Sequence, residues 1–157
     1  MKKILVPVDF SDVTELVIEN AKLFAKSLDA ELKIIHVVSA MSTVGVAQEM
    51  VGGVVVTPMN YEVLRNELAS ELKSEHKKML EIKQKLSDDK VKVKAFLLEG
   101  DLSKVVLSQV NEYAPDMIIM GSHGHGYMMK ALLGSITMSV LKHVKCPVVI
   151  VPCKTKN

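Results

Sequence analysis

Along this chain, short uninterrupted apolar runs alternate with longer stretches in which apolar residues return every three or four positions. Ile4-Leu5-Val6-Pro7-Val8 is the first run, and a strand covered on both faces of a parallel sheet has no polar side to show. Ser11 or Asp12 then supplies a helix cap, with Glu15 three residues after Asp12 in the spacing of a capping box. Val13, Val17, Ala21, Phe24 and Leu28 recur on one face of the helix that follows. Leu32 through Val38 predicts the second strand, in which His36 is expected to be a hydrogen-bonded core residue. Tyr61, Leu64, Leu68, Leu72, Met79, Ile82 and Leu86 predict a long amphipathic helix ended by Ser87-Asp88-Asp89. Glu81 and Lys85 form an i,i+4 pair on its outer side.

Val91, Val93 and Ala95 alternate with Lys92 and Lys94, so the third strand has a wet face and belongs at a sheet edge, where lysines discourage stray pairing. Asp101 or Ser103 opens a third helix through Val105, Val106 and Val110 before Pro115, and Met117-Ile118-Ile119-Met120 returns to the buried-strand pattern. A fourth helix begins near Gly134, with Lys142 and His143 at the end that the helix dipole makes negative. Val148 to Val151 is the last strand. Strands alternating with helices predict an α/β fold: a single-domain open parallel five-stranded sheet with helices on both faces, spanning residues 1–157. Between Met41 and Met59, Gly45, Gly52, Gly53 and Pro58 interrupt an otherwise apolar stretch. It reads either as a lid or interface loop or as a partly helical excursion packed on its own domain.

Composition narrows the partners. Lysine plus arginine at 20 against aspartate plus glutamate at 18 gives a formal net charge of +2. That leaves no strong field to gather nucleic acid or an anionic membrane, so neither is expected. Cys146 and Cys153 lack the ligand clustering of a zinc site and the framework of a secreted scaffold, which suits reduced thiols and a cytoplasmic location. The first apolar run is too short for a signal peptide, and no segment reaches membrane-spanning length. The 10 methionines are scattered and read as adaptable packing rather than a metal set.

The chemistry concentrates in Gly121-Ser122-His123-Gly124, followed after nine residues by Gly134-Ser135-Ile136-Thr137, between a buried strand and a helix. Glycines let a backbone approach an anion closely, and the first N–H groups of a helix are unpaired donors at a positive dipole end, so the pattern can cradle phosphate. The rival reading is a turn that holds glycines for backbone reasons alone. Ser135 and Thr137 add hydroxyls to the first helical turn. No Gly-Lys-Ser/Thr follows the glycines, so this is not a P-loop. The spacing is also wrong for a Gly-x-Ser-x-Gly nucleophile elbow, which leaves Ser122 as a loop residue. His123 and His125, two positions apart with no matching cysteine or carboxylate cluster, fall short of a metal site.

These glycines, together with Pro7-Val8-Asp9 and the closing Cys146-Pro147-Val148-Val149-Ile150-Val151-Pro152, give the chain a resemblance to the universal stress protein family over nearly its whole length. The likeness is to the branch that binds ATP or AMP, and it implies a Rossmann-like strand order of 3-2-1-4-5. Ligands of open α/β sheets lie beyond the carboxyl ends of the strands where the order reverses. In that order strands one and four flank the reversal, and their ends are Pro7-Val8-Asp9 and Met120-Gly121. Asp9 then either meets ribose hydroxyls or, through water, a Mg2+ or Mn2+ ion held by the phosphates, or else caps the first helix. Val8 and Val37 offer apolar or main-chain surface to adenine, with plain core packing as the alternative. His123 is placed to face the phosphates. His125 joins it or faces solvent, and because the family commonly has arginine there, a histidine makes phosphate binding weaker and pH-dependent. Lys130 is the best local cation.

The expected function is nucleotide binding by a cytoplasmic regulatory module in the stress response. The alternatives are a weak Mg-dependent ATPase or phosphotransferase working through Asp9, or a dimeric interaction protein that needs no nucleotide. Val148-Val149-Ile150-Val151 is an uncharged edge bracketed by Pro147 and Pro152, so a homodimer through this strand is expected. The resemblance implies that the two copies pair antiparallel.

Overall fold

Among the described residues, nine elements realise the alternation read from the sequence. They are β1 (Lys2–Val8), α1 (Thr14–Leu28), β2 (Ala30–Val38), α2 (Pro58–Asp88), β3 (Val93–Glu99), α3 (Leu102–Tyr113), β4 (Met117–Gly121), α4 (Ser135–His143) and β5 (Val148–Val151). The computed structural model describes residues 1–38, 58–123 and 133–152, without the side chains of residues 58–65 and 68. The Met41–Met59 segment therefore lies outside the described residues, apart from Pro58 and Met59, which open α2. Proline suits a first helical turn, where its missing N–H has no partner to lose.

All strand pairs are parallel, and the sheet order is β3-β2-β1-β4-β5, as expected. Each strand's alternation divides the core. Ile4, Val6, Leu32, Ile34 and Ile119 meet Val17, Ile18 and Ala21 of α1 and Met79 and Leu86 of α2 on one face. Leu5, Ile35, Ile118 and Met120 meet Val106 of α3 and Val140 of α4 on the other. With helices on both sides the central strands need no polar face, which is why β1 and β4 read as unbroken apolar runs.

The edges differ from the centre as the pattern requires. In β3 the exposed Lys94 reaches back to Glu31 of β2, with Nζ–Oε distances near 3.1 and 3.2 Å. Asp101 caps α3, its carboxylate accepting from Lys104 N–H at 2.9 Å. Three local expectations fail. Leu28 is 44% exposed rather than packed on the sheet, because α1 ends there and the chain turns through Asp29 in a left-handed conformation. Lys85 pairs with Glu19 of α1 at 3.1 Å instead of with Glu81, and Lys77 takes Glu81. The third is the start of α1, described below.

β1 and β4 stay paired only at Ile4–Met117 and Leu5–Ile118, and the sequence explains the split. Lys3 directs its carbonyl to Asp116 N–H at the foot of β4, whereas Val8 directs its carbonyl to β2. By this alternation the main-chain groups of residues 3, 5 and 7 face β4. Residue 7 is proline, which has no N–H to donate, so the ladder has no next rung on that side. The β1–β4 ladder therefore stops where the sheet order reverses, short of the carboxyl ends of β1 and β4.

Candidate functional site

One rim of this opening is the turn from β1 into α1. Ser11 or Asp12 was expected to cap α1, but the helix starts at Thr14, with Val13 at the cap position and no side-chain cap bond. The work falls to Asp9. Its Oδ1 accepts from Ser11 N–H at 3.1 Å, from Ser11 Oγ–H at 2.6 Å and from the Thr14 hydroxyl at 3.4 Å. An aspartate two residues before an amide closes a local turn readily, and here that turn replaces the cap. Phe10 within it has a φ of 58°, a left-handed conformation that costs a bulky residue on the order of 1–3 kcal/mol and must be held by its surroundings.

The other rim runs from β4 to α4. Gly121 is required by proximity: a Cβ there would stand 2.8 Å from Val13 Cγ1 and 3.0 Å from the His123 carbonyl oxygen. This contact also brings the two rims together. Ser122 is buried, its N–H donates to the Val151 carbonyl at 2.8 Å, and its own carbonyl accepts from Gly134 N–H at 2.8 Å. The loop residue of the sequence reading is thus the knot that ties β4, β5 and the start of α4. Thr137 tightens it, donating its hydroxyl to the Gly121 carbonyl at 3.0 Å and lying within 3.4 Å of the Ser122 carbonyl. Of the two hydroxyls that the first turn of α4 carries, that of Thr137 is buried and engaged, while Ser135 is exposed.

Gly134 is the N-cap of α4 and makes no side-chain cap bond. A glycine cap has no side chain to fold back on the amides of the first turn, which are unpaired by helix geometry. There is no acidic residue in that turn, and Lys142 and His143 occupy the last. A methyl group on Gly134 would meet the Ser122 carbonyl oxygen at 3.4 Å and His123 Cα at 3.5 Å, ordinary van der Waals contact among the described residues. The result, among the described residues, is a glycine-capped helix start, whose dipole end attracts anions, at the end of β4.

The other expected residues distribute as follows. Val8 and Met120 are buried in the two cores, and Val37 and Ile136 pack partly against the second. From these positions they offer a ligand backbone more than side chain. Pro7 is half-buried, as is His123, whose Nδ1 lies 3.2 Å from Ser122 Oγ. Gly124, His125 and Lys130 lie outside the described residues. Among the described residues no group of three histidine, cysteine or carboxylate side chains is placed to hold a metal. Asp9, with one oxygen occupied three times over, fits an indirect role toward a phosphate-bound ion better than direct ligation. The sequence reading missed Phe10 and Val13, and gave His36 a core role without its partners. A phenylalanine directly after the strand-ending aspartate was the available signal. No helix of the described residues is long and apolar enough to cross a membrane.

An open parallel sheet split at its reversal, with a glycine-capped helix facing the split, defines the class of α/β folds that receive ligands at the strand ends. Comparison with known proteins narrows the class to a family. The universal stress protein family model matches residues 1–152. Universal stress protein MJ0577 of Methanocaldococcus jannaschii is 34% identical over 158 aligned positions, covering 99% of this chain and 96% of that protein. The solved structure of MJ0577 superposes with a TM-score of 0.75 at 32% identity, over 99% of this chain and 98% of that one. More distant structures share the fold. A family protein from Arabidopsis thaliana with AMP bound has a TM-score of 0.61 at 17% identity, over 100% and 95% of the chains. A universal stress protein in complex with cAMP gives 0.63 at 16%, over 98% of each. The chain belongs to the universal stress protein family.

Proposed function

We propose that this protein binds an adenine nucleotide, ATP or AMP, across the opening between β1 and β4 and acts as a cytoplasmic regulatory module of the stress response in a single domain. The observation that carries the reading is the glycine N-cap of α4 at Gly134, which makes no side-chain cap bond and is held beside Gly121 and Ser122. Phosphate suits those amides, and the backbone at Val8, Val37 and Met120 suits the base and sugar. Gly124, His125 and Lys130 extend the cradle, and Ser135 adds an exposed hydroxyl. Mg2+ or Mn2+ arrives with the phosphates and meets Asp9 through water. The AMP and cAMP bound by the two distant family members support the ligand class.

Hydrolysis is not part of this reading, since Asp9 is committed to Ser11 and Thr14. Thermal unfolding tests the proposal. ATP with magnesium, or AMP, raises the melting temperature, because a ligand of the native state alone stabilises it by about 2.7 kcal/mol at a hundredfold excess over its dissociation constant. No shift with either nucleotide, and none released from the purified protein on mass spectrometry, would overturn it.

The same reading includes a homodimer through β5. This strand is the sheet edge opposite β3, with Val148, Val149 and Ile150 only half-buried. An uncharged edge of four residues favours closed two-fold pairing over an open stack. Val149→Lys shifts the light-scattering mass from dimer to monomer, and a wild-type protein already monomeric at micromolar concentration refutes the interface.

A further inference from the structure

His36 lies within an apolar strand and is only 6% exposed, yet both of its ring nitrogens meet oxygen atoms. Nδ1 is 2.8 Å from the Val8 carbonyl on β1, and Nε2 is 3.2 Å from Glu75 Oε1 on α2. A carbonyl only accepts, so Nδ1 carries a proton. A carboxylate only accepts too, so the second bond closes when Nε2 also carries one. A ring with a bare Nε2 would turn its lone pair toward the carboxylate. The two bonds together run from α2 through the ring to the last residue of β1.

The same helix reaches the turn by a second route. The Phe10 ring stacks on His36 with centroids 4.2 Å apart, and Lys78 Nζ lies 5.2 Å from the Phe10 centroid. Phe10 is the residue in left-handed conformation, and such strain persists only where neighbours over-determine it. Glu75 and Lys78, one helical turn apart on α2, thus grip the backbone on either side of Asp9.

We propose that Glu75, His36 and Val8 form a positioning clip through which α2 holds the Val8–Phe10 turn in its nucleotide-receiving shape, so that docking of α2 and nucleotide affinity are coupled. The proposal rests on the reading of the opening as a nucleotide site. Coupling of this kind is reciprocal: whatever draws α2 from the sheet weakens nucleotide binding, and bound nucleotide holds α2 down. The long helix becomes the part of the molecule that reports occupancy.

Glu75→Ala removes the acceptor and is expected to weaken ATP–Mg binding about tenfold by calorimetry. In the unliganded variant, hydrogen exchange of the Ser11 amide and of the α2 amides around Met79 speeds up. Glu75→Gln restores both, because its amide N–H can donate to a bare Nε2 while Nδ1–H stays on Val8. Nitrogen-15 spectra of the ring separate a clip from simple packing: Nδ1 carries a proton in the wild type and in Glu75→Gln, as the bond to the Val8 carbonyl requires. Wild-type affinity and exchange in Glu75→Ala, or a wild-type ring with bare Nδ1, overturn the clip. A wild-type protein that binds no ATP–Mg overturns the site reading and the coupling with it, whereas binding left equal in Glu75→Ala overturns the clip alone.

Discussion

The two rims of the opening solve opposite problems with the same backbone chemistry. At the end of β1 the turn is filled by its own side chains: Asp9 satisfies Ser11 and Thr14, His36 satisfies the Val8 carbonyl, and Phe10 is kept in a strained conformation beneath α2. At the end of β4 the bonds point inward, to the Gly121, Ser122 and Val151 carbonyls, and Gly134 at the cap position of α4 makes no side-chain cap bond. One rim is therefore a rigid wall and the other an open donor surface. A crevice made this way binds an anion on one side without having to rebuild the other.

The strongest test of that division is a pair of glycines. Gly121→Val places its branched side chain into the gap closed by Val13 and the His123 carbonyl. It is expected to cost about 1–3 kcal/mol in denaturant unfolding and to abolish nucleotide binding. Gly134→Ala meets only ordinary van der Waals contacts among the described residues and has a φ of −67° that any residue adopts, so its stability cost stays within about 1 kcal/mol while nucleotide affinity falls. Equal stability costs at the two positions would break the distinction between packed and open glycines.

Thr137→Val comes next. It keeps the shape and removes the hydroxyl that satisfies the Gly121 carbonyl, for an expected loss of about 1–2 kcal/mol by thermal unfolding. An unchanged melting temperature would mean that the knot at Ser122 needs no such fastener. Asp9→Asn separates the two roles of the first rim. The amide oxygen can still accept from Ser11 and Thr14, so stability changes by less than about 1 kcal/mol. Loss of the charge lowers ATP–Mg affinity if the carboxylate faces ribose or ion, and unaltered calorimetry would leave Asp9 a turn former only.

The smallest effect concerns acid. Hydrogen bonds from Lys22 and Lys85 hold the Glu19 carboxyl below its usual range, and Lys22 does the same to Asp89; Glu19–Lys22 lies within α1, Lys85 ties Glu19 to α2, and Lys22 ties α1 to Asp89 just after α2. A depressed folded value contributes stability that is present above the ordinary carboxylate range, near pH 4, and is lost as pH falls through the folded value. The melting temperature should drop below about pH 4, less steeply in Asp89→Asn. Identical slopes would show that the exposed α1–α2 pairs contribute nothing measurable.

The order and type of the elements were legible in the chain because buried strands and amphipathic helices bury apolar surface with different periods, and both periods are written in single residues. The edge position of β3 was legible too, from Lys92 and Lys94. So was the place of the glycine motif, since Gly121 follows a buried strand and Gly134 opens a helix. What the chain alone left undecided were choices between equivalent partners. Lys85 had Glu81 within reach on its own helix and took Glu19 on another; Asp12 stood in capping position and Asp9 did the work; Thr137, a candidate ligand hydroxyl, bonds the Gly121 carbonyl. Each such choice is settled by small free-energy differences between contacts that exist only once α1, α2 and β4 are packed. Sequence determined which surfaces are buried and where the backbone can open, including the missing N–H of Pro7 that ends the β1–β4 ladder. Tertiary structure decided which polar groups are consumed in closing the protein and which remain for a ligand, because hydrogen-bond partners far apart in the chain meet only after the apolar layers have formed.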